Sequence, residues 1–236
     1  MGVFNLQHEK NVQAISIKEK RMAKLTGLSA KIMVEQYKKT FENKGYAFFE
    51  KGDYNLNIVG VRNASGDASR FDDFINVVYK DNGEWVCEVY PVTTEPGTNI
   101  LKNPIKEVRH KGTAILVPDQ YRGTYKVDWH GSKDRGHMAL CQRGGKVRVW
   151  RDNNRDATPD YHGPEEEGWY GINIHKHRGS SARTNTGGVS AGCQVFKSSL
   201  DFAKFMETCD EAVGKWGNNF TYTLLEERDL SEKEVC

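Results

Sequence analysis

The sequence has no long apolar run, no dense cysteine pattern and no strong excess of either charge. Its 236 residues are 37% hydrophobic and 28% charged, with a formal net charge of +2. No stretch is apolar enough to span a bilayer, and the N-terminus lacks the basic, apolar and small-residue succession of a secretory signal. These absences predict a globular protein without membrane insertion or ordinary export. The weak net charge does not call for a nucleic-acid partner.

The cysteine content also argues against a disulfide framework. The five cysteines are an odd number without close pairs, which is neither a zinc spacing nor the pattern of a disulfide-rich domain, and it fits a reducing compartment. Four of them are expected to be structural or terminal: Cys87, Cys141 and Cys209 in apolar segments, and Cys236 at the exposed end.

Two segments contain metal-ligand residue types without a convincing metal spacing. Asp152, Asn154 and Asp156 alternate like the first half of a calcium loop, but the turn glycine of such a loop is absent. A tight turn held by Asx hydrogen bonds is favoured, with Ca²⁺ binding as the alternative. His130 and His137 flank a charged loop and are interpreted as surface histidines. The sequence therefore predicts no metal and no cofactor.

What the sequence does contain is a histidine and a cysteine in a pattern typical of thiol catalysis. His175 lies in the strand-like run Ile172–His177, and Cys193 follows the small residues Ser190-Ala191-Gly192. A free thiol needs a neighbouring imidazole to take its proton. Strand alternation predicts that Asn173, His175 and His177 share one face. The amides of Gly192 and Cys193 are the predicted donors to an oxyanion.

These residues resemble the catalytic domain of L,D-transpeptidases of the YkuD type. That family has a strand ending in histidine, about fifteen further residues, and then Ser-His-Gly-Cys; here fourteen residues separate His175 from Ser190-Ala-Gly-Cys193. Upstream, Thr94-Glu-Pro-Gly97 stands where the family has Thr-Pro-x-Gly. The resemblance covers roughly residues 45 to 230.

The chain departs from the family pattern at three places. Ala191 replaces the histidine before the Gly-Cys pair, and Val195 replaces the Arg or Asn two residues after the cysteine. Lys176, His177 and Arg178 separate His175 from the next glycine. We expect His177 to take over part of the work of the missing histidine.

The resemblance implies a mechanism and a substrate class. Cys193 would be the nucleophile, His175 the base, and the Lys176 carbonyl the group that orients the base. The implied substrate is a peptidoglycan stem peptide, attacked at a meso-diaminopimelate or D-residue bond to form an acyl-enzyme, which an amine or water then releases. We expect substrate contacts from Ser190, His177, Tyr170 and Arg151, the last because arginine suits a carboxylate.

The predicted fold is α+β and mainly β, a YkuD-like β-sandwich at residues 45–236 after an N-terminal helical extension at 1–44. From Ser29, apolar residues recur at helical intervals, which predicts an amphipathic helix packed on the domain or on a partner. Beyond Gly45, short β-branched and aromatic runs predict strands, the first at Tyr46–Glu50. A helix from Ser198 to Val213 is expected after the cysteine turn.

The sequence therefore predicts an L,D-transpeptidase-like enzyme acting on peptidoglycan peptides. The missing export signal and Ala191 suggest a phage-encoded protein, cytoplasmic or virion-associated, with a possible virion or protein partner at the N-terminal helix. Two alternatives stay open. One is a non-catalytic structural or binding module that keeps the fold, and the other is a cysteine hydrolase of peptides outside the cell wall.

Overall fold

The computed structural model describes residues 23–106, 110–179 and 182–230. The helices are α1 (Gly27–Lys44), α2 (Thr98–Lys102) and α3 (Ser199–Trp216), followed by a short 3-10 helix at Glu227–Leu230. The strands are β1 (Ala23–Leu25), β2 (Asn57–Arg62), β3 (Asp73–Asp81), β4 (Glu84–Thr93), β5 (Thr113–Leu116), β6 (Gln120–His130), β7 (His137–Gln142), β8 (Val147–Asp152), β9 (Glu166–Gly168), β10 (Ile174–Lys176), β11 (Gln194–Phe196) and β12 (Phe220–Glu226).

Eight strands close into a mixed β-barrel. The order is β4-β11-β10-β7-β6-β12-β2-β3, and pairing of β3 with β4 completes the circle, while β1 adds to β4. Two pairings are parallel, β10 with β11 and β2 with β12, and the others are antiparallel. A separate three-stranded sheet has the order β5-β8-β9. The predicted α+β, mainly β class is confirmed. The main sheet, however, closes on itself instead of forming one layer of a sandwich.

Helix α3 shares the larger apolar core with the barrel strands. Its side chains at Phe202, Phe205, Met206, Cys209 and Ala212 belong to the same buried cluster as the strand residues. The helix begins at the N-cap Ser198, whose hydroxyl accepts from the Asp201 amide as a capping side chain does. The helix predicted after the cysteine turn is therefore confirmed, and it extends to Trp216.

Helix α1 packs on a second apolar cluster formed by residues of β2, β3, β4 and β12. Ala30, Val34, Tyr37 and Phe41 are buried there against strand residues such as Val59 and Cys87. The helix ends at Gly45, which takes the left-handed conformation usual at this position. The amphipathic helix is thus confirmed, and it packs on its own domain. Residues 1–22 of the proposed extension lie outside the described residues.

The segment Tyr46–Glu50, predicted as a strand, belongs to no sheet. Its backbone is held instead by side chains: Ala47 bonds Gln120, and Phe49 bonds Asn57. In the described part of the chain, no helix is both long and apolar enough to cross a membrane.

Candidate active site

The parallel pairing of β10 with β11 brings the segments of the predicted nucleophile and base side by side. His175 is level with Val195, and Cys193 directly precedes β11, two residues before Val195. The Cys193 Sγ atom accepts from the Asn173 amide at 3.4 Å and donates to the Gly171 carbonyl at 3.5 Å. Cys193 as a whole residue is partly exposed.

The imidazole of His175 is held in a defined tautomer. Its Nδ1 atom lies 2.7 Å from the Lys176 carbonyl oxygen, which can only accept, so Nδ1 donates and Nε2 keeps its lone pair in the neutral ring. The side chain is 7% exposed. Burial, with a smaller contribution from the neighbouring His130, lowers the pKa of His175 to about 3. The ring is therefore neutral at physiological pH.

The Cys193 thiol is also neutral in this arrangement. Burial raises its pKa to about 11, and the hydrogen bond from the Asn173 amide opposes that shift only in part. Among the described hydrogen bonds, none joins Cys193 to His175, since Sγ is engaged by Asn173 and Gly171. The pair is a thiol and an imidazole, not a thiolate–imidazolium ion pair.

The turn before Cys193 is held together by Ser190. The Ser190 hydroxyl donates to the Cys193 carbonyl at 2.7 Å and accepts from the Gly192 amide at 3.1 Å. The Gly192 amide, predicted as an oxyanion donor, is thus engaged within the turn, and the Cys193 amide remains the candidate. Ser190 is 1% exposed, so its hydroxyl closes the turn and does not face a substrate in this conformation.

His177 does not join the face predicted for it. Its Nδ1 and Nε2 atoms lie 3.1 Å from the carbonyls of Arg178 and Lys197, and the side chain is buried. Strand β10 ends at Lys176, so the alternation that predicted a shared face with His175 stops before His177. With both nitrogens engaged by backbone, His177 does not replace the histidine that the family has at Ala191.

Tyr170 and Arg151 lie together beside the second sheet. The Arg151 guanidinium is 4.9 Å from the Tyr170 ring centroid and is paired with Glu166 at 3.1 Å. Tyr170 directly precedes Gly171, whose carbonyl contacts the thiol. The two predicted substrate residues therefore form a cation–π pair, and Tyr170 is adjacent in sequence to the residue that the Cys193 thiol contacts.

Two further histidines, His130 and His137, lie against His175. They face each other across the β6–β7 hairpin, and the His130 ring stacks on His175 with centroids 4.1 Å apart. The centroid of His137 is 6.1 Å from that of His175. The interpretation of both as surface histidines of a loop is wrong, because they pair in the hairpin next to its turn, are half-buried and pack ring against ring. The sequence shows that they flank a loop but does not show that the loop joins two paired strands.

Gln142 and Asn173 organise the backbone around this cluster and were also missed. The Gln142 Oε1 atom accepts from the amides of Tyr170, Gly171 and Ile172, at 2.9–3.2 Å. The Asn173 Oδ1 atom accepts from the Gln142 amide at 2.8 Å. These bonds fix the backbone of residues 170–173, which includes the Gly171 carbonyl that accepts from the Cys193 thiol.

The Thr94–Gly97 segment lies against the loop that leads to Cys193. The Gly97 amide donates to the Ser190 carbonyl at 3.0 Å, and the Asn99 amide donates to that of Gly187 at 3.2 Å. A side chain at Gly97 would collide with the Gly187 carbonyl. The two sequence stretches that carry the family resemblance are therefore in direct contact.

The remaining candidate positions have local structural roles. The Asp152–Asp160 loop is closed by Asx hydrogen bonds, in which Asn154 accepts from the Asp156 amide and Asp156 from that of Thr158, so the predicted tight turn is confirmed. In the described ranges, no three His, Cys, Asp or Glu side chains are grouped to hold a metal ion. Cys87, Cys141 and Cys209 are buried, as expected. Cys236 lies outside the described residues.

Comparison with known proteins finds no match among family models, curated proteins or solved structures.

Proposed function

We propose that this protein is a cysteine-dependent acyltransferase or peptidase of the L,D-transpeptidase type, with Cys193 as nucleophile and His175 as base. The observation that supports the proposal is the hydrogen bond from Nδ1 of His175 to the Lys176 carbonyl, on a strand whose parallel partner begins directly after Cys193. That arrangement leaves Nε2 of His175 free to accept a proton.

The proposed reaction begins from the neutral pair. The Cys193 proton leaves the Gly171 carbonyl and passes to Nε2 of His175 as Sγ attacks the acyl carbonyl, so that an S–C bond forms. The C–N bond breaks when His175 returns the proton to the departing amine. An acceptor amine or water then attacks the thioester and releases the thiol. The Cys193 amide would stabilise the oxyanion.

The proposed substrate is a peptidoglycan stem peptide, and the proposed fold family is the YkuD-like one. Both rest on the sequence resemblance, which gains support from the contact of Gly97 with Ser190. Arg151 and Tyr170 lie where a substrate carboxylate and its apolar stem could bind, although Arg151 is already paired with Glu166. We further propose a phage origin with action on the cell wall.

A specific observation favours the second candidate, a non-catalytic module with the same fold. The pKa of Cys193 is raised, and its thiol bonds backbone groups instead of His175. A structural cysteine behaves in this way, whereas many catalytic cysteines have a lowered pKa.

Thiol labelling separates the two candidates. In a Cys236→Ser background, iodoacetamide adducts are counted by intact mass from about pH 6 to about pH 9. The enzyme hypothesis predicts one adduct on the folded protein, its absence in Cys193→Ala, and labelling slowed about tenfold or more in His175→Ala. His162→Ala, at an exposed histidine, serves as the matched control.

Labelling of Cys193 only after unfolding, or an equal rate in His175→Ala, would contradict the enzyme hypothesis and favour the structural module. If the pair is active, purified peptidoglycan and a generic peptide are compared as substrates by mass spectrometry. A product from the generic peptide alone would identify a hydrolase of other peptides.

A further inference from the structure

A histidine from another strand lies face to face with the proposed base. His130 ends β6, and its ring is inclined by 21° to that of His175 at a centroid distance of 4.1 Å. His137, opposite His130 on β7, meets the His130 ring edge-on at 5.4 Å and the Phe202 ring of α3 at 5.6 Å. The His175 ring is thus packed against His130, and the rings of His137 and Phe202 extend the same cluster.

The orientation of the His130 ring is fixed by a chain of hydrogen bonds. Because Asn173 Oδ1 accepts from the Gln142 amide, the other amide atom, Nδ2, donates, and it lies 2.9 Å from Nδ1 of His130. Nδ1 of His130 therefore accepts, and the proton of the neutral ring is on Nε2. His175 has the opposite tautomer, since its own Nδ1 donates to the Lys176 carbonyl.

We propose that His130 is a positioning residue that clamps the His175 ring by stacking, with Asn173 and Gln142 as the anchor of the clamp. This inference rests on the proposed function. The stacked His130 ring blocks rotation of the His175 imidazole about its Cβ–Cγ bond. It also keeps water from one face of the His175 ring. The first effect keeps Nε2 in one position, and the second keeps the ring neutral.

The charge state of the clamp depends on the titratable groups around His175. The titratable neighbours that act on His175 are His130, His137 and His177. Burial, followed by the cations Arg143 and Arg178, lowers the pKa of His130. Burial, followed by His130 and Lys176, lowers the pKa of His137 to about 4. Each of the three stacked or edge-on rings is therefore neutral near pH 7.

The test measures the His175 ring itself. Labelled imidazoles are titrated by NMR in the wild type, His130→Ala and His130→Phe, with His162→Ala as a control. Removing the stacked ring admits water, so His130→Ala is expected to raise the pKa of His175 by about one unit or more toward the ordinary value near 6.5. His130→Phe keeps a flat ring and is expected to keep that pKa near the wild-type value. Should His130→Ala fail to fold, His130→Leu replaces it with the same expectation.

Cys193 labelling on the same variants gives the second readout. We expect labelling to slow about fivefold or more in His130→Ala and to recover at least half of that loss in His130→Phe. If His130→Ala and His130→Phe leave both the titration and the labelling at wild-type values, the clamp is disproved while the proposed function stands. If labelling does not depend on His175 at all, the proposed function is disproved and the clamp with it.

Discussion

At the scale of single residues, Gly192 determines the shape of the turn that carries Cys193. Its φ is +119°, and a Cβ atom at this position would lie 2.5 Å from the Ala114 carbonyl oxygen. Any larger side chain would therefore strain the backbone and push the turn away from β5. The close approach of these two backbones makes the position of the nucleophile depend on a residue that bears no functional group.

Two alanine substitutions separate backbone strain from this close approach. Gly171 also has a positive φ, +66°, but its Cβ would meet nothing within 4 Å. We expect Gly171→Ala to lower the free energy of unfolding by about 1 kcal/mol, from strain alone. We expect Gly192→Ala to lower it by about 3 kcal/mol and to alter Cys193 labelling. Urea unfolding measures both; equal losses would show that the Ala114 carbonyl imposes no constraint.

The sequence predicts residues of the site where a local pattern specifies them. The hydrogen bond between His175 and the Lys176 carbonyl is the one that the family resemblance implies. The roles of His130 and Gln142 could not be predicted, since they end β6 and β7 and meet Asn173 only because β10, which follows Asn173, pairs with β7. The misplacement of His177 has a simpler cause, because β10 ends one residue before it.

At the scale of secondary structure elements, α1 is part of the barrel's packing. Phe41 is 1% exposed and contacts the rings of Tyr46 and Phe48 edge-on, at centroid distances of 6.1 and 5.5 Å. Leu28, on the same helix, is 75% exposed. The helix therefore has a buried face whose loss would expose the apolar outer side of β2, β3 and β4.

Two truncations on α1 test this packing. We expect Phe41→Ala to lower the free energy of unfolding by about 3–5 kcal/mol, because a buried aromatic side chain leaves a cavity. Leu28→Ala is expected to change it by about 0.5 kcal/mol or less. Denaturant unfolding of the full chain measures both changes. A small loss in Phe41→Ala would indicate that α1 is an independent arm, available to a partner.

The elements themselves were more predictable than their arrangement. Helices α1 and α3 follow from helical spacing. Closure of the barrel depends on long-range pairings such as β2 with β12 and β4 with β11, and local alternation contains no information about such partners. The segment Tyr46–Glu50 has strand-like residues, but its backbone forms hydrogen bonds with the side chains of Gln120 and Asn57 instead of with another strand.

At the scale of the whole molecule, a buried group of charges connects one end of the barrel to the Thr94–Gly97 segment. Arg62 donates to the Thr94 hydroxyl at 3.2 Å and lies 4.0 Å from the Glu95 carboxylate. The Asp73 carboxylate accepts from the amides of Asn63 and Thr94 and from the Thr94 hydroxyl. One cation faces two carboxylates, so Asp73, with three donors, keeps its charge and Glu95 is the protonated one.

This arrangement predicts a loss of stability at alkaline pH. Burial, followed by the repulsion of Asp73, raises the pKa of Glu95 to about 8. A carboxyl with a raised pKa stabilises the fold below its unfolded value, and that stability is lost as the pH rises through the folded value. The lowered pKa values of His175 and His137 act only below about pH 6.5. The raised pKa values of Asp73 and Asp152, each about 6, lower the stability mainly below about pH 6.5, so the decline from there to about pH 8 belongs mainly to Glu95.

We expect the free energy of unfolding to fall by about 1–2 kcal/mol between about pH 6.5 and about pH 8 in the wild type. The decline should disappear in Glu95→Gln, which stays neutral, and persist in Glu167→Gln, at an exposed residue. Urea unfolding at several pH values gives the comparison. A decline that survives in Glu95→Gln would show that another group titrates in this window.

The position of β12 between β6 and β2 determines the order in which the barrel can be completed during synthesis. Strand β12 follows α3, so the ribosome releases β2, β6 and the whole Cys193 region before the strand that joins them. Until then, β2 and β6 each have an unpaired edge that another chain could occupy. We infer that a nascent chain halted before Phe220 is prone to aggregation, even though it already contains every proposed catalytic residue.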